Sequence, residues 1–123
     1  MNYINQLGQI GEVVAANYLQ QKGFQVVEKN WRYHYKEIDI IAKNNEILLI
    51  IEVKARNFFS AQILAPFASV TKRKQRLLID AANAYVTMHN IDCEIRFDII
   101  SIIFKSQTDF TIEHIEDAFY PFL

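Results

Sequence analysis

The run Ile47–Ile51, followed at once by Glu52-Val53-Lys54, is the feature that most restricts the fold of this chain. Five successive aliphatic residues place apolar side chains on both faces of a strand, so both faces must be covered. Such a strand lies in the middle of a sheet, with a layer of structure on each side. The run is also far shorter than the ~20 residues that a membrane-spanning helix needs.

Helical and β-prone segments surround this central strand. Apolar residues at helical spacing predict a first helix over residues 5–22, ended by Gly23, and a second helix over Thr71–His89. Residues 57–69, which include Pro66, are predicted to form a loop. The predicted strands are Phe24–Glu28, Glu37–Ala42, Ile47–Arg56, Ile95–Phe104 and Asp109–Ile115, and Glu116–Phe119 is predicted to be a helical turn. The order α-β-β-β-α-β-β predicts an α/β fold with a mixed β-sheet flanked by helices.

Composition restricts the class of protein. The length suits one domain over residues 1–123, and an apolar fraction of 51% supports a packed core rather than disorder. No positive segment leads into a long apolar stretch at the N-terminus, so no signal peptide is expected. The single cysteine, Cys93, forms neither an internal disulfide nor a cysteine metal cluster, which fits a reducing cytoplasm. A net charge of −1 argues mildly against a nucleic-acid binder, unless the cations are clustered.

A hairpin is predicted where Glu37–Ala42 and Ile47–Arg56 are separated by four polar residues. If the turn is centred on Asn44-Asn45, Ala42 lies opposite Ile47. A slip of one residue would move every side chain of one strand to the other face. The register therefore decides which polar groups of the two strands meet.

In this register, the polar residues of the hairpin share one face. Asp39 pairs with Ile50, Glu37 pairs with Glu52, and Lys54 follows on the same face by alternation. Asp39 and Glu52 are then diagonal neighbours, roughly 7 Å apart at the backbone. The prediction is a pair of acids and a lysine at the end of a covered strand.

This acid pair predicts a metal site. Two carboxylates about 5 Å apart repel by roughly 3 kcal/mol at an effective dielectric near 20, so the pair needs a cation. Lys54 supplies one charge, and Mg²⁺ or Mn²⁺ held by Asp39 and Glu52 would supply two more. The chemistry that follows is metal-assisted phosphodiester hydrolysis, in which Lys54 orients a water molecule or steadies the developing charge. The alternative is a structural ion pair between Lys54 and one acid, without metal.

Glu12 on the first helix is a candidate third acid. Its neighbours at helical spacing are small or apolar, so Glu12 lies on or beside the packed face. There it is either a metal ligand, direct or through a neighbour, or a surface glutamate that happens to adjoin small residues. These neighbours are Gly8, Ala15, Ala16 and Leu19.

A basic cluster begins the second helix, after Ser69 or Thr71 as N-cap. Cations oppose the helix dipole at this end, whereas a phosphate would bind well there, so the cluster predicts a contact with a nucleic-acid backbone. Lys74 falls on the apolar stripe of the helix and points along the sheet. The alternative is a solvated basic turn. The predicted nucleic-acid-binding residues are Lys72, Arg73, Lys74 and Arg76, together with Arg56, which shares the strand face of Lys54.

Two further segments have less specific patterns. The run Trp31–Lys36 mixes aromatic and basic residues, and it either contacts bases and backbone or anchors a loop by packing. Arg96-Phe97-Asp98 predicts a structural ion pair. The three histidines show no metal-ligand spacing.

Taken together, the motifs resemble the YraN family of small bacterial proteins, which are predicted to be endonuclease-like. The resemblance covers about Gly8 to Ile102, and the combination of motifs is specific although each alone is weak. One departure is Lys36, where the family usually has glycine. The matching motifs are Gly11-Glu12, Glu37-Ile38-Asp39, Glu52-Val53-Lys54 with Arg56, Val70-Thr71, Lys74-Gln75 and Arg96-Phe97-Asp98.

The resemblance implies a restriction-endonuclease-like fold, similar to archaeal Holliday-junction resolvases. In that superfamily, an acid on the first helix, an Asp and a Glu-x-Lys motif form the metal site. The implied function is a metal-dependent endonuclease that hydrolyses DNA, branched DNA included. By analogy with resolvases, two symmetric cuts favour a homodimer. A nucleic-acid-binding module without turnover and a scaffold that binds no metal are the alternatives. The carried-over catalytic residues are Glu12, Asp39, Glu52 and Lys54, with Glu37 and Gln75 as auxiliary positions.

Overall fold

A five-stranded mixed sheet lies between two helices in the computed structural model, which describes residues 3–59 and 70–120. The strands follow chain order across the sheet, and only β3 and β4 are parallel. The predicted α/β class and element order are therefore confirmed. The elements are α1 Tyr3–Gln21, β1 Gln25–Tyr33, β2 Lys36–Lys43, β3 Ile47–Asn57, α2 Lys72–Met88, β4 Glu94–Phe104 and β5 Phe110–Phe119.

Each face of the sheet carries one hydrophobic cluster. On one face, Leu7, Ala15 and Leu19 of α1 pack against alternate residues of β2, β3 and β4. On the other face, Leu78 and Tyr85 of α2 pack against the intervening residues of the same strands. Every residue of the run 47–51 is at most 9% exposed, as expected for a strand covered on both sides. Neither α1 nor α2 is long and apolar enough to span a membrane.

The helix ends follow from local sequence. Gly23 adopts a φ of 93°, and the amides of Gly23 and Phe24 donate to the carbonyls of Gln20 and Leu19. This pattern ends α1 in a Schellman motif, which favours glycine because a Cβ would be strained there. Thr71 caps α2, since its hydroxyl accepts a hydrogen bond from the Lys74 amide at 3.2 Å.

Two predicted boundaries were wrong. β1 runs to Tyr33 rather than ending at Glu28, so most of the aromatic segment belongs to a strand. The predicted helical turn at Glu116–Phe119 is instead the end of β5. There Asp117 adopts a φ of 55°, and the ladder with β4 shifts register, so a bulge produced the irregular pattern. Residues 60–69, most of the predicted loop, lie outside the described residues.

The predicted hairpin register was also wrong. Asn44 accepts hydrogen bonds from the Glu46 and Ile47 amides at 2.8 and 2.9 Å and donates its own amide to the Ile47 carbonyl. These bonds close a turn centred one residue later than predicted, on Asn45-Glu46. Ala42 consequently pairs with Leu49 instead of Ile47. The pairing is displaced by two residues, an even number, so the paired side chains still lie on the same face of the sheet as predicted.

Candidate functional site

The candidate site lies where β2 and β3 separate. Their ladder ends at the pair Ile40–Ile51, although β2 begins at Lys36 and β3 continues to Asn57. Just beyond the last pair, the Asp39 carboxylate accepts a hydrogen bond from the Val53 amide at 2.8 Å. Asp39 thus occupies, with its side chain, the position where the backbone ladder would otherwise have continued.

Strand alternation breaks at Asp39. Ile38 packs on the α2 side of the sheet, whereas Ile40 packs on the α1 side. On β1, Asn30 lies between the residues paired with these two isoleucines and has a φ of 50°. The predicted common face for Glu37, Asp39, Glu52 and Lys54 is therefore wrong, because the rule of alternation fails at this point.

Two further acids approach Asp39 from the α1 side. Carboxylate oxygens of Glu12, Glu37 and Asp39 all lie within 4.8 Å of one another. Asn30 donates a hydrogen bond to Glu12 at 3.0 Å, and Arg32 pairs with Glu37 at 3.0 Å. Glu12 therefore lies beside Asp39, and Glu37 belongs to the same group of acids.

Glu52 reaches the same region from the α2 side. It shares a strand face with Ile50, which packs in the α2 cluster, and its side chain is 14% exposed. Its Oε2 atom is buried, accepts no hydrogen bond from the described residues, and lies 3.9 Å from the Lys74 ammonium. That separation is too long for a hydrogen bond, so Lys74 balances charge without satisfying the oxygen. Lys54 follows on the same strand face.

Burial and mutual repulsion change the ionisation of these acids. Burial, followed by the charge of Glu52, raises the pKa of Asp39 to about 7, and the hydrogen bond from Val53 offsets this only in part. Burial also raises the pKa of Glu52, against the opposing charges of Lys74 and Lys54. Both carboxylates are therefore held in surroundings that disfavour their charged form.

A hard divalent cation fits this donor set. The buried Glu52 oxygen lacks a donor, and a cation beside it would offset the desolvation and repulsion that raise the two pKa values. Carboxylate oxygens are the ligands that Mg²⁺ and Mn²⁺ prefer. Glu12, Glu37 and Asp39 have oxygens close enough to hold such an ion together, and Glu52, whose charge acts on Asp39, approaches from the other side.

Gly11 sets how closely Glu12 can approach the strands. A Cβ on Gly11 would lie 2.7 Å from the Cβ of Ala55 on β3, a distance that real side chains do not adopt. The absence of a side chain at Gly11 therefore lets α1 lie directly on β3, and the next residue is carried to the acid cluster.

The cationic residues predicted to bind nucleic acid differ in position and exposure. Lys74 faces the acid cluster, whereas Lys72, Arg73 and Arg76 are exposed at the start of α2. Arg56 is half-buried on β3, two residues beyond Lys54.

Gln75 has a structural contact instead. Its side-chain amide donates to the Val70 carbonyl at 2.9 Å and so secures the chain before α2. This hydrogen bond connects the Gln75 side chain to the start of α2 and not to the acid cluster.

The predicted Arg96–Asp98 pair is part of a larger buried network. Arg96 donates two hydrogen bonds of 2.9 Å to the fully buried Asp98, which also contacts His114 Nε2 at 2.7 Å and accepts from the Asp117 amide. His114 Nδ1 in turn lies 3.0 Å from the Tyr18 hydroxyl on α1. The network joins α1, β4 and β5, and its role is structural.

Asn30 and the contact between Lys74 and Glu52 were missed by sequence reasoning. Asn30 has a usable signal, because asparagine is depleted in strands and tolerates the left-handed conformation that it adopts here. Lys74 and Glu52 are far apart in sequence, and no pattern in the chain indicates that they meet.

Comparison with known proteins assigns the chain to a family. Residues 11–102 match the family described as "Uncharacterised protein family UPF0102". A UPF0102 protein of Flavobacterium psychrophilum is 46% identical, and the match covers 96% of this chain and 97% of that protein. UPF0102 proteins of Parabacteroides distasonis (44% identical; 94% and 93% of the two chains) and Chlorobium chlorochromatii (43%; 94% and 92%) are also similar. The chain therefore belongs to the UPF0102 family, the YraN family that its motifs resemble.

Proposed function

We propose that the protein is a divalent-metal-dependent nuclease that hydrolyses phosphodiester bonds in DNA. The observation that carries the proposal is the group of three carboxylates, Glu12, Glu37 and Asp39, gathered where two strands separate, with the charge of Glu52 close enough to raise the pKa of Asp39. A structural ion pair without metal would not leave a buried Glu52 oxygen without a donor. The ion pair therefore explains the site less well than a metal site does.

Each residue has a role in the proposed reaction. Asp39, Glu52 and Glu12 would hold Mg²⁺ or Mn²⁺, and the ion would supply polarisation of the phosphoryl oxygen and a more acidic water molecule. Lys54 orients the attacking water and stabilises charge on the phosphate. Lys74 balances the charge of Glu52. Glu37, at the edge of the cluster, accepts a proton from the water or holds an outer water molecule.

DNA as the substrate is supported by the start of α2. Lys72, Arg73 and Arg76 are exposed there, on the same helical turns as Lys74, which contacts the acid cluster. Free backbone amides and added cations suit a phosphate at this helix end. A strand bound there would have a phosphodiester bond near Glu52.

The proposal is tested by cleavage of labelled linear and branched DNA with Mg²⁺ or Mn²⁺. The wild type should cut only with metal. Lys54→Ala should bind the metal but cut about 10²- to 10⁴-fold more slowly, because it removes a group that acts on the water. Asp39→Ala should neither bind metal nor cut. Glu113→Ala, at an exposed acid on β5, should behave as the wild type.

Two results would contradict the proposal. Calorimetry that shows no binding of Mg²⁺ or Mn²⁺ at millimolar concentrations would exclude the metal site. A wild type that binds metal and DNA but cuts neither substrate would leave a binding module without turnover.

A further inference from the structure

A cationic trough runs along the exposed side of α2. Two adjoining grooves of about 350 and 550 Å³ form it. Lys72 and Arg76 line the first, Tyr33 and Lys36 line the second, and Asp80 lines both. The helix residues in the trough recur at spacings of three and four, so they form one stripe that is about 22 Å long.

The trough is positive although the whole chain is not. Lys36 pairs with Asp80 at 3.2 Å, so the acid that lines both grooves is neutralised by a neighbour. The charged residues that line the two grooves are thus three cations, Lys36, Lys72 and Arg76, and one anion, Asp80. An anionic chain laid along the helix would therefore meet attraction at one end of the trough and no net repulsion in its middle.

An exposed tyrosine stands beside the trough. His34 and Tyr35 form a two-residue turn between the paired residues Tyr33 and Lys36, and Tyr35 is 77% exposed. The Lys36 ammonium lies 5.6 Å from the centre of the Tyr35 ring and 5.8 Å from that of Tyr33. Since the same ammonium bonds Asp80 on α2, Lys36 connects the tip of the hairpin to the helix.

The trough is continuous in sequence with the acid cluster at two points. Lys36 directly precedes Glu37, and Lys72 and Arg76 flank Lys74, which contacts Glu52. The trough therefore lies on the same elements that carry the acid cluster, although residues two apart on a helix face opposite sides. Phosphates and aromatic rings are the groups that a ligand in the trough should offer.

We propose that this trough binds an unpaired strand of DNA, with one base stacked on Tyr35 and the backbone phosphates on Lys72 and Arg76. An isolated exposed ring can stack on a base only where that base is free of its duplex neighbours. The preferred substrate is then DNA with a single-stranded segment, such as a flap or an end, rather than continuous duplex. This inference rests on the proposed nuclease function for its link to cleavage.

The test measures binding without metal, by fluorescence anisotropy with single-stranded, flapped and duplex DNA of one sequence. Tyr35→Ala should weaken single-strand binding about 5- to 150-fold, the equivalent of the ~1–3 kcal/mol that stacking on one base contributes, and should leave duplex binding unchanged. Tyr35→Phe should retain the affinity. Tyr120→Ala, at an exposed tyrosine beyond the opposite sheet edge, is the matched control and should have no effect.

A fluorescent base analogue reports the stacking directly. With 2-aminopurine at the unpaired position, binding should change the fluorescence in the wild type and in Tyr35→Phe, and this change should be absent in Tyr35→Ala. A wild type that prefers duplex, an equal loss for all three DNAs in Tyr35→Ala, or tighter binding of single-stranded RNA would overturn the inference. A protein that binds single strands as described but never cuts would contradict the nuclease function alone.

Discussion

Asp98 shows how a buried charge is made tolerable in this protein. Burial alone would raise the pKa of Asp98, but hydrogen bonds from His114, Arg96 and the Asp117 amide outweigh it and lower the pKa below its ordinary value of 3.8. The carboxylate is thus charged and fully buried, and both of its oxygens have hydrogen-bond partners. It contrasts with Asp39, where too few donors surround the carboxylate and its pKa is raised.

Asp98→Asn should destabilise the fold strongly. The amide keeps the shape of the side chain but cannot accept from every donor that meets Asp98, and it removes the buried charge that Arg96 contacts. The expected loss is about 3 kcal/mol or more in the free energy of unfolding, measured by urea denaturation. Glu113→Gln, at an exposed acid on β5, should change it by less than about 0.5 kcal/mol.

The wild type and Asp98→Asn should also differ in how their free energy of unfolding depends on pH. Because the folded-state pKa of Asp98 is lowered, its contribution to stability is present above 3.8 and is lost as the pH falls through the folded-state value. The gap between wild type and Asp98→Asn should therefore stay constant from about pH 8 to 5 and narrow below about pH 4. A gap that widens in acid would contradict this assignment.

Residue chemistry made much of the site predictable from the sequence. Acids next to apolar runs are conspicuous, and Glu12, Asp39 and Glu52 all have this property. Asp39 and Glu52 approach each other although the predicted register was wrong. The observed register is displaced by two residues, and this brings the two acids nearer to directly opposite positions on β2 and β3. The share of Lys74 in the cluster depends on the docking of α2, which local patterns do not encode.

At the scale of elements, the packing of α1 on β3 determines the position of Glu12. Gly11→Ala would force the helix away from Ala55, whose Cβ cannot rotate aside. The expected results are a loss of about 1–3 kcal/mol in the free energy of unfolding and weaker Mn²⁺ binding by calorimetry.

The matched control lies on the same helix. A Cβ on Gly8 would meet nothing within 4 Å, so Gly8→Ala should raise the free energy of unfolding by about 0.5–1 kcal/mol, through helix propensity alone. Metal binding should not change. If both alanines act alike, close contact at Gly11 does not position Glu12.

Elements were predictable where periodicity is regular and failed where it is interrupted. The two helices and the central strand follow from long apolar patterns, and their ends agree with the prediction to within about two residues. The register shift between Val26 and Glu28, the left-handed Asn30 and the bulge near Asp117 break the period of two, so β1 was predicted too short and β5 ended too early. A side chain that replaces a ladder bond, as Asp39 does, has no periodic signature.

At the scale of the whole molecule, a net charge of −1 gives no long-range attraction for DNA. Binding must then depend on local phosphate contacts. The double variant Lys72→Ala/Arg76→Ala should weaken the binding of single-stranded DNA and reduce its slope of log affinity against log salt concentration by about 1.4, as measured by titration at several ionic strengths. Lys43→Ala, at the far end of the β2–β3 ladder, should leave the slope unchanged. An unaltered slope in the double variant would remove the phosphate contacts from the trough.

The parallel pairing of β3 with β4 has a consequence for the order of folding. Ile47 pairs with Glu94 and Asn57 with Phe104, so every contact in this ladder closes a loop of 47 residues that contains α2. The β1–β2–β3 meander needs only two short turns, and loop-closure entropy favours its earlier formation. Asp39 and Glu52 belong to this local part, so we infer that they meet while still hydrated. The later docking of α2 and β4 then removes water from the two carboxylates, so the free-energy cost of burying them belongs to the last stage of folding.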